Sequence, residues 1–249
     1  MPRFADAHKR TESAGSFSQG ADVYDDIRPG YPAEVLELLT PRPVGPILDV
    51  GAGTGKLTAS LPGEAWALDP SLDMIAHLRA SLSVPAWLAT AESTALPPRS
   101  VAAATCAQGW HWVDVPRASA ELDRVIAPGG VLLLVWNTID VRVPWVHRLT
   151  RIMHAGDVQK PGFYPDVAAP WRLADELRLT WSQHLLAEDL FRLMATRSYW
   201  LRATEKTRLK MTANLSWYLY EHLGMQEKTP VELPYRCDAF AYRRPTDAE

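Results

Sequence analysis

Cysteine is scarce: the 249 residues hold two, Cys106 and Cys237. Two cysteines cannot build a disulfide framework or a multi-cysteine zinc site, and they suit a reducing, cytoplasmic setting. Long hydrophobic runs are missing too. The densest, Val131–Trp136 (VLLLVW), is far short of the roughly 20 residues that a membrane span needs. The opening stretch MPRFADAHKRTESAGSFS has no apolar segment of the secretory kind. Neither charge sign dominates: 26 Lys/Arg face 29 Asp/Glu, a formal net charge of −3. No global basic excess points to nucleic acid or to an anionic membrane, so neither is expected as a partner. The seven histidines (8, 77, 111, 147, 154, 184 and 222) form no H-x-x-x-H pair or carboxylate cluster, and no metal is expected.

What is present is the balance of a globular protein, 47% apolar and 22% charged, with length for one large domain and a substantial core. Charge is uneven: residues 141–249 carry 16 Lys/Arg against 13 Asp/Glu, and residues 1–140 carry 10 against 16. That difference is either ordinary solvated surface or a basic half facing an anionic substrate. Short apolar runs bounded by Pro and Gly predict strands at 47–50, 65–69, 84–89, 101–107 and 131–136. Between them, helical patterns follow Tyr31-Pro32, Lys56, Ser71 and Val113. Ser71 is placed to cap a helix running to Leu82 with Leu72, Ile75, Leu78 and Leu82 on one face. This alternation predicts an α/β fold on a mostly parallel sheet, with helices on both faces. After Asn137 the rhythm changes, with a sixth strand predicted at 177–186, helices at 188–196 and 205–223, and a last strand at 231–242.

The informative block is Asp-Val-Gly-Ala-Gly-Thr-Gly at 49–55. Glycines at 51, 53 and 55 let the loop take positive φ angles and leave space above the backbone, at the carboxyl end of a strand. Asp69 ends the next strand, where a carboxylate can accept both hydroxyls of a ribose. A dinucleotide fingerprint requires G-x-G-x-x-G, and here the third glycine falls one residue early. A phosphate-binding P-loop requires a glycine five before Gly55, where Val50 stands, and a Ser or Thr after Lys56, where Leu57 stands.

ILDVGAGTGKLT, ALDPSLDMIAHLRA, AESTALPPRSV, TCAQGWHWVD and ELDRVIAPGGVLLLVWN together resemble the successive motifs of class I S-adenosylmethionine-dependent methyltransferases of the small-molecule "methyltransferase domain 11" kind. YDDIRPGYP and VELPYRCDAFAYRR are similar to flanking segments, so the likeness covers roughly residues 17–244. It implies a Rossmann-like, doubly wound, seven-stranded sheet with a helical cap, the last strand antiparallel beside the fifth. It also implies a lid segment at 1–30, a single methyltransferase domain at 31–249, and cap helices inserted around 140–175 and 188–223. The cofactor implied is S-adenosylmethionine. Asp49 and the loop of Gly51, Ala52, Gly53 and Gly55 would hold its methionine moiety and Asp69 its ribose. Pro70 and Met74 would flank the adenine, Ala91 and Glu92 would read the adenine edge, and Gln108 would line the gap toward the substrate. The acids usual near Pro98 and at Ala102 are absent, which alters a strand's beginning rather than the cofactor site.

Methyl transfer from a sulfonium is an in-line displacement that needs orientation, and a base when the nucleophile must lose a proton. His111, between Trp110 and Trp112, is either that base or a structural histidine. Trp110 and Trp112 are candidates for a substrate wall or for core. Tyr24 and Arg28 are substrate-binding candidates in the N-terminal segment. Arg28 is placed either to pair with a carboxylate or to sit at the surface beside a proline turn. The stretch after the fourth strand, Gln108–Trp112, lacks the Asp/Asn-Pro-Pro-aromatic motif of nucleic-acid amino-methylating enzymes of this fold. A small-molecule acceptor is therefore expected, a carboxylate or an apolar metabolite, acted on by a monomer or homodimer. The alternatives are a cofactor-binding protein without turnover, or an inactive partner subunit, and a nicotinamide oxidoreductase.

Overall fold

The computed structural model describes residues 27–155 and 159–245. Its strands are β1 (Ile47–Val50), β2 (Ala65–Asp69), β3 (Ala86–Leu88), β4 (Val101–Ala107), β5 (Ile126–Ile139), β6 (Arg172–Leu186) and β7 (Pro230–Arg243). The helices are α1 (Leu72–Ser81), α2 (Val115–Val125), α3 (Pro144–Ile152), α4 (Asp189–Ala195), α5 (Ser198–Arg202) and α6 (Glu205–Ser216). The strands form a seven-stranded sheet in the order β3-β2-β1-β4-β5-β7-β6, and β1 to β5 pair in parallel. The N–H of Asp140, just past β5, donates to Pro234 early in β7 (2.8 Å). Arg244, just past β7, reaches the Ile126 carbonyl at the start of β5 (2.8 Å). The last strand therefore runs antiparallel beside the fifth, as the resemblance implies.

The chain divides into two compact units. Among the described residues, the first comprises 30–137, 162–179 and 237–245. The second comprises 27–29, 138–155, 159–161 and 180–236. Within 140–175, the stretch expected to hold cap helices, residues 162–175 share the first unit with the glycine loop: Trp171 donates its ring N–H to the Ser119 carbonyl on α2 (3.0 Å) and Ala168 donates to the Ser119 hydroxyl (3.1 Å).

In the first unit, the apolar run Val131–Trp136 is buried throughout, as a parallel strand covered on both faces requires. Ala118, Leu122 and Val125 of α2 pack with Leu132, Leu134 and Trp136 in the main core cluster. Pro128-Gly129-Gly130, read as a turn, is a bulge within β5: Val101 pairs with Ile126 and the next pair is Ala103 with Val131. A Cβ on Gly130 would lie 2.5 Å from the Ala102 carbonyl, so only glycine fits. Ser71 caps α1 as expected, but the buried face is Met74, Ile75 and Leu78, and Leu72 is 65% exposed. The segment after Lys56 makes only a 3-10 turn, Thr58–Ser60.

In the second unit, Ile139, Val146, Leu149, Leu190, Leu193, Met211 and Leu215 share one buried cluster. The predicted helix 205–223 is α6 followed by a π-helical turn, Trp217–His222. There the Trp217 and Tyr218 rings stack on His222, and the Tyr218 hydroxyl donates to the Trp145 carbonyl (2.8 Å).

Asp238 on β7 is fully buried and accepts from Arg178 on β6 (3.1 Å), whose guanidinium lies over the Phe240 and Tyr164 rings. Removing Asp238 leaves Arg178 paired with Glu176 (3.3 Å) and donating to the Phe163 carbonyl (2.9 Å), so the loss is that of one charge-assisted hydrogen bond. Asp238→Ala is expected to cost about 2 kcal/mol in urea unfolding.

Candidate active site

Strand register sets the site. Val50 pairs with Leu68, so Asp69, the next residue of β2, lies alongside the first glycine of the loop. Gly51, Gly53 and Gly55 all have positive φ, at 66°, 57° and 91°. Their reasons differ. A Cβ built on Gly51 or Gly53 meets nothing within 4 Å, whereas one on Gly55 would lie 2.7 Å from Leu82. Gly55 thus lets the loop pack under α1, and Gly51 and Gly53 leave open space beside the loop.

Two carboxylates hold the loop. Asp49 is buried at the end of β1, and each of its oxygens accepts a threonine hydroxyl, from Thr58 (2.6 Å) and Thr105 (2.9 Å). Burial outweighs these hydrogen bonds and lifts its carboxyl from 3.8 to about 6. Asp69 accepts the Gly53 N–H (2.9 Å) and the Ser71 N–H (2.8 Å) on different oxygens. Its carboxyl is also raised, by burial. A carboxylate offers about four lone-pair sites, so Asp69 keeps acceptor capacity beyond its two backbone donors. Ala52 donates to the Leu68 carbonyl (3.0 Å), which pins the loop to β2.

The other sequence-predicted residues fall around this loop or away from it. Pro70 is exposed and Met74 buried. Ala89 donates to the Asp69 carbonyl (3.3 Å), which brings the turn with Ala91 and Glu92 beside the end of β2. Glu92 accepts the Asp114 N–H (2.7 Å) and so links that turn to the start of α2. Gln108 follows β4 with φ at 57° and donates its side-chain amide to the Asn137 carbonyl (2.5 Å). A Cβ built on Gly109 would come within 3.8 Å of the Val50 carbonyl, so the turn after β4 runs close to the start of the glycine loop. His111 and Trp112 are half-buried with ring centroids 4.7 Å apart.

Two candidates have distant partners. Trp110, read as substrate wall or core, is 2% exposed, sits in the main core cluster and donates its ring N–H to the Asp166 carbonyl (2.8 Å). Arg28 belongs to the second unit, where its Nε and Nη2 donate to the Thr196 hydroxyl (2.9 Å) and carbonyl (3.0 Å). It is neither a bare surface arginine nor directed at a carboxylate through those two nitrogens. Tyr24 lies outside the described residues. Sequence reasoning missed Thr58, Thr105 and Asn137. Asn137 donates its side-chain amide to the Gly30 carbonyl (2.8 Å). The only local signal for it was a polar residue at the end of an apolar strand. Among the described residues no group of three or more His, Cys, Asp or Glu is placed to hold a metal ion, and no helix is long and apolar enough to cross a membrane.

Comparison with known proteins agrees with this geometry. A family described as "Methyltransferase domain" matches residues 48–134, which contain the loop, Asp69 and β4. An uncharacterised methyltransferase of Mycobacterium tuberculosis is 37% identical over 232 residues, covering 91% of this chain and 94% of that one. The chain belongs to the class I S-adenosylmethionine-dependent methyltransferases. An uncharacterised methyltransferase-like protein of Schizosaccharomyces pombe is 31% identical over 246 residues, with coverage of 91% and 94%. The structure of a putative type II methyltransferase from Anaeromyxobacter dehalogenans superposes with a TM-score of 0.63 at 26% identity, over 87% of this chain and 97% of that one.

The raised carboxyl of Asp49 makes the methyltransferase sensitive to pH. Unfolded, the group titrates near 3.8; folded, near 6. Folding therefore favours the proton. The stability gained from the neutral form is present below about pH 4 and is lost as pH rises through 6. Asp49→Asn never ionises. Its stability relative to the native chain is expected to improve by up to about 3 kcal/mol between pH 4 and pH 7, measured by urea titration at both.

Proposed function

We propose that the first unit binds S-adenosylmethionine over Gly51–Gly55 and against Asp69, and supports transfer of its methyl group to a small-molecule acceptor. The observation that carries this reading is the pair of positive-φ glycines, 51 and 53, with open space where side chains would stand. They lie beside a carboxylate with lone pairs to spare. When bound, the cofactor supplies an electrophilic methyl carbon whose sulfur departs as a neutral thioether. Asp69 accepts the ribose hydroxyls. Asp49, through Thr58 and Thr105, keeps the loop in the shape that leaves the space open. Pro70, which is exposed, and Met74, which is buried on α1, flank the adenine, and Ala91 and Glu92 read its edge.

The acceptor contributes the electron pair that forms the new bond to carbon. A carboxylate acceptor has no proton to lose. A hydroxyl or amine acceptor does, and His111, half-buried beside Trp112, is the base offered by the turn after β4. A carboxylate or apolar metabolite remains the preferred acceptor, with no nucleic acid and no membrane as partner. A cytoplasmic monomer or homodimer is consistent with two buried, unbridged cysteines.

Asp69→Ala removes a charge-assisted acceptor. S-adenosylhomocysteine affinity by calorimetry is expected to fall roughly tenfold or more, and an unchanged affinity excludes Asp69 as the ribose ligand. Transfer of labelled methyl into a fractionated metabolite extract tests the reaction itself; binding without transfer into any fraction supports a non-catalytic binding protein. His111→Ala is expected to slow single turnover by roughly 10²–10⁴-fold with S-adenosylhomocysteine affinity kept. Loss of affinity or stability without a specific loss in the chemical step makes His111 structural.

A further inference from the structure

Gln108 carries an uncommon backbone conformation at the end of β4, close to the glycine loop. It directly follows β4, and its φ of 57° is left-handed, a region that residues with a Cβ avoid. Glycine would relieve that conformation, and none stands there. The residue is also pinned on several sides. Its backbone N–H donates to the Val135 carbonyl (2.9 Å) and its side-chain nitrogen to the Asn137 carbonyl (2.5 Å). Asn137 is in turn tied to the Gly30 carbonyl through its own amide (2.8 Å). Strain held in place this way marks a functional position more often than a fold requirement.

Those bonds fix which way the side chain faces. The nitrogen points to the Asn137 carbonyl, so the amide oxygen points away from the tip of β5. That oxygen has no hydrogen-bond partner among the described residues, and Gln108 itself is only half-buried. A Cβ built on Gly109, the next residue, would come within 3.8 Å of the Val50 carbonyl that leads into the glycine loop, so the turn after β4 runs close to the start of that loop. A neutral hydrogen-bond acceptor therefore stands near the loop, pre-oriented and without a partner among the described residues.

We propose that Gln108 positions the methyl acceptor by receiving a hydrogen bond on its amide oxygen from an N–H or O–H group of that acceptor. The proposal rests on the methyl-transfer reading above and narrows its substrate class to carboxylate or apolar metabolites that also carry such a donor at or next to the methylated atom; it excludes a plain carboxylate methylated on its own oxygen. A carboxamide does not take up a proton, so Gln108 is a positioning residue and not a base. Accepting the acceptor's hydrogen on one side leaves its lone pair directed elsewhere, which is the alignment that an in-line displacement needs. In the balanced step the lone pair forms the bond to carbon, and the carbon–sulfur pair leaves with sulfur. Any proton shed from the acceptor goes to His111 or to solvent.

Two variants test this. Gln108→Met keeps length and removes the amide oxygen. Gln108→Gly removes the side chain and relieves the backbone. Three quantities are read on each: thermal midpoint, S-adenosylhomocysteine affinity, and transfer of labelled methyl into a metabolite extract. Both variants are expected to bind S-adenosylhomocysteine within about threefold of the native protein and to transfer methyl at least about tenfold more slowly. Gln108→Gly is expected to melt no lower than the native protein, because positive φ costs glycine nothing. The labelled product should carry an N–H or O–H, or have lost one to the methyl group. Parallel falls in melting, affinity and transfer would show a structural role and overturn the proposal. So would native-level transfer in both variants, or a labelled acceptor with no such donor. A native protein that binds S-adenosylhomocysteine and labels nothing overturns the methyl-transfer reading and this proposal together; transfer by the native protein and both variants alike overturns this proposal alone.

Discussion

The bond from the Gly53 N–H to the Asp69 carboxylate, 2.9 Å long, joins the glycine loop to the end of the neighbouring strand. Its partner constraint is Asp49, whose two oxygens gather hydroxyls from Thr58 beyond the loop and Thr105 on β4. Between them these two carboxylates define the loop's path. Without the first, the loop has no fixed distance from the end of β2. Without the second, its two ends are not tied to adjacent strands. The open space over Gly51 and Gly53 depends on both.

Placing carboxylates in this position has an electrostatic cost. Burial lifts both above the usual range, Asp49 to about 6. The same low-dielectric setting strengthens every hydrogen bond that the two groups accept. A loop held by buried ionisable groups is therefore rigid near neutral pH but not maximally stable there. That is the expected compromise where a binding site needs shape before it needs stability.

Reading the sequence worked where the signal was local. β4 has the predicted bounds, β1 and β2 follow from apolar runs bounded by Pro and Gly, and Ser71 caps α1 through its hydroxyl. The methyltransferase motifs named the loop, Asp69 and the residues after β4. What local sequence leaves open is a side chain's partner far along the chain. Trp110 bonds Asp166 and Arg28 bonds Thr196, 56 and 168 residues away. No periodicity carries that information. Leu72 was misassigned for a different reason: helical spacing identifies a face, but which edge of that face is covered depends on what packs there.

The sequence by itself determined the parallel α/β architecture, the family, and the glycine loop with its acidic neighbour. Strand periodicity and glycine backbone freedom act within a few residues. The tertiary structure alone decided what each side chain is used for. It made Trp110 core, committed Arg28 to Thr196, recruited Thr58 and Thr105 to Asp49, and turned the Gln108 amide oxygen outward by tying its nitrogen to Asn137. Each of these depends on hydrogen-bond geometry between segments that meet only when the sheet is assembled, and strand order is set by the packing of the whole chain.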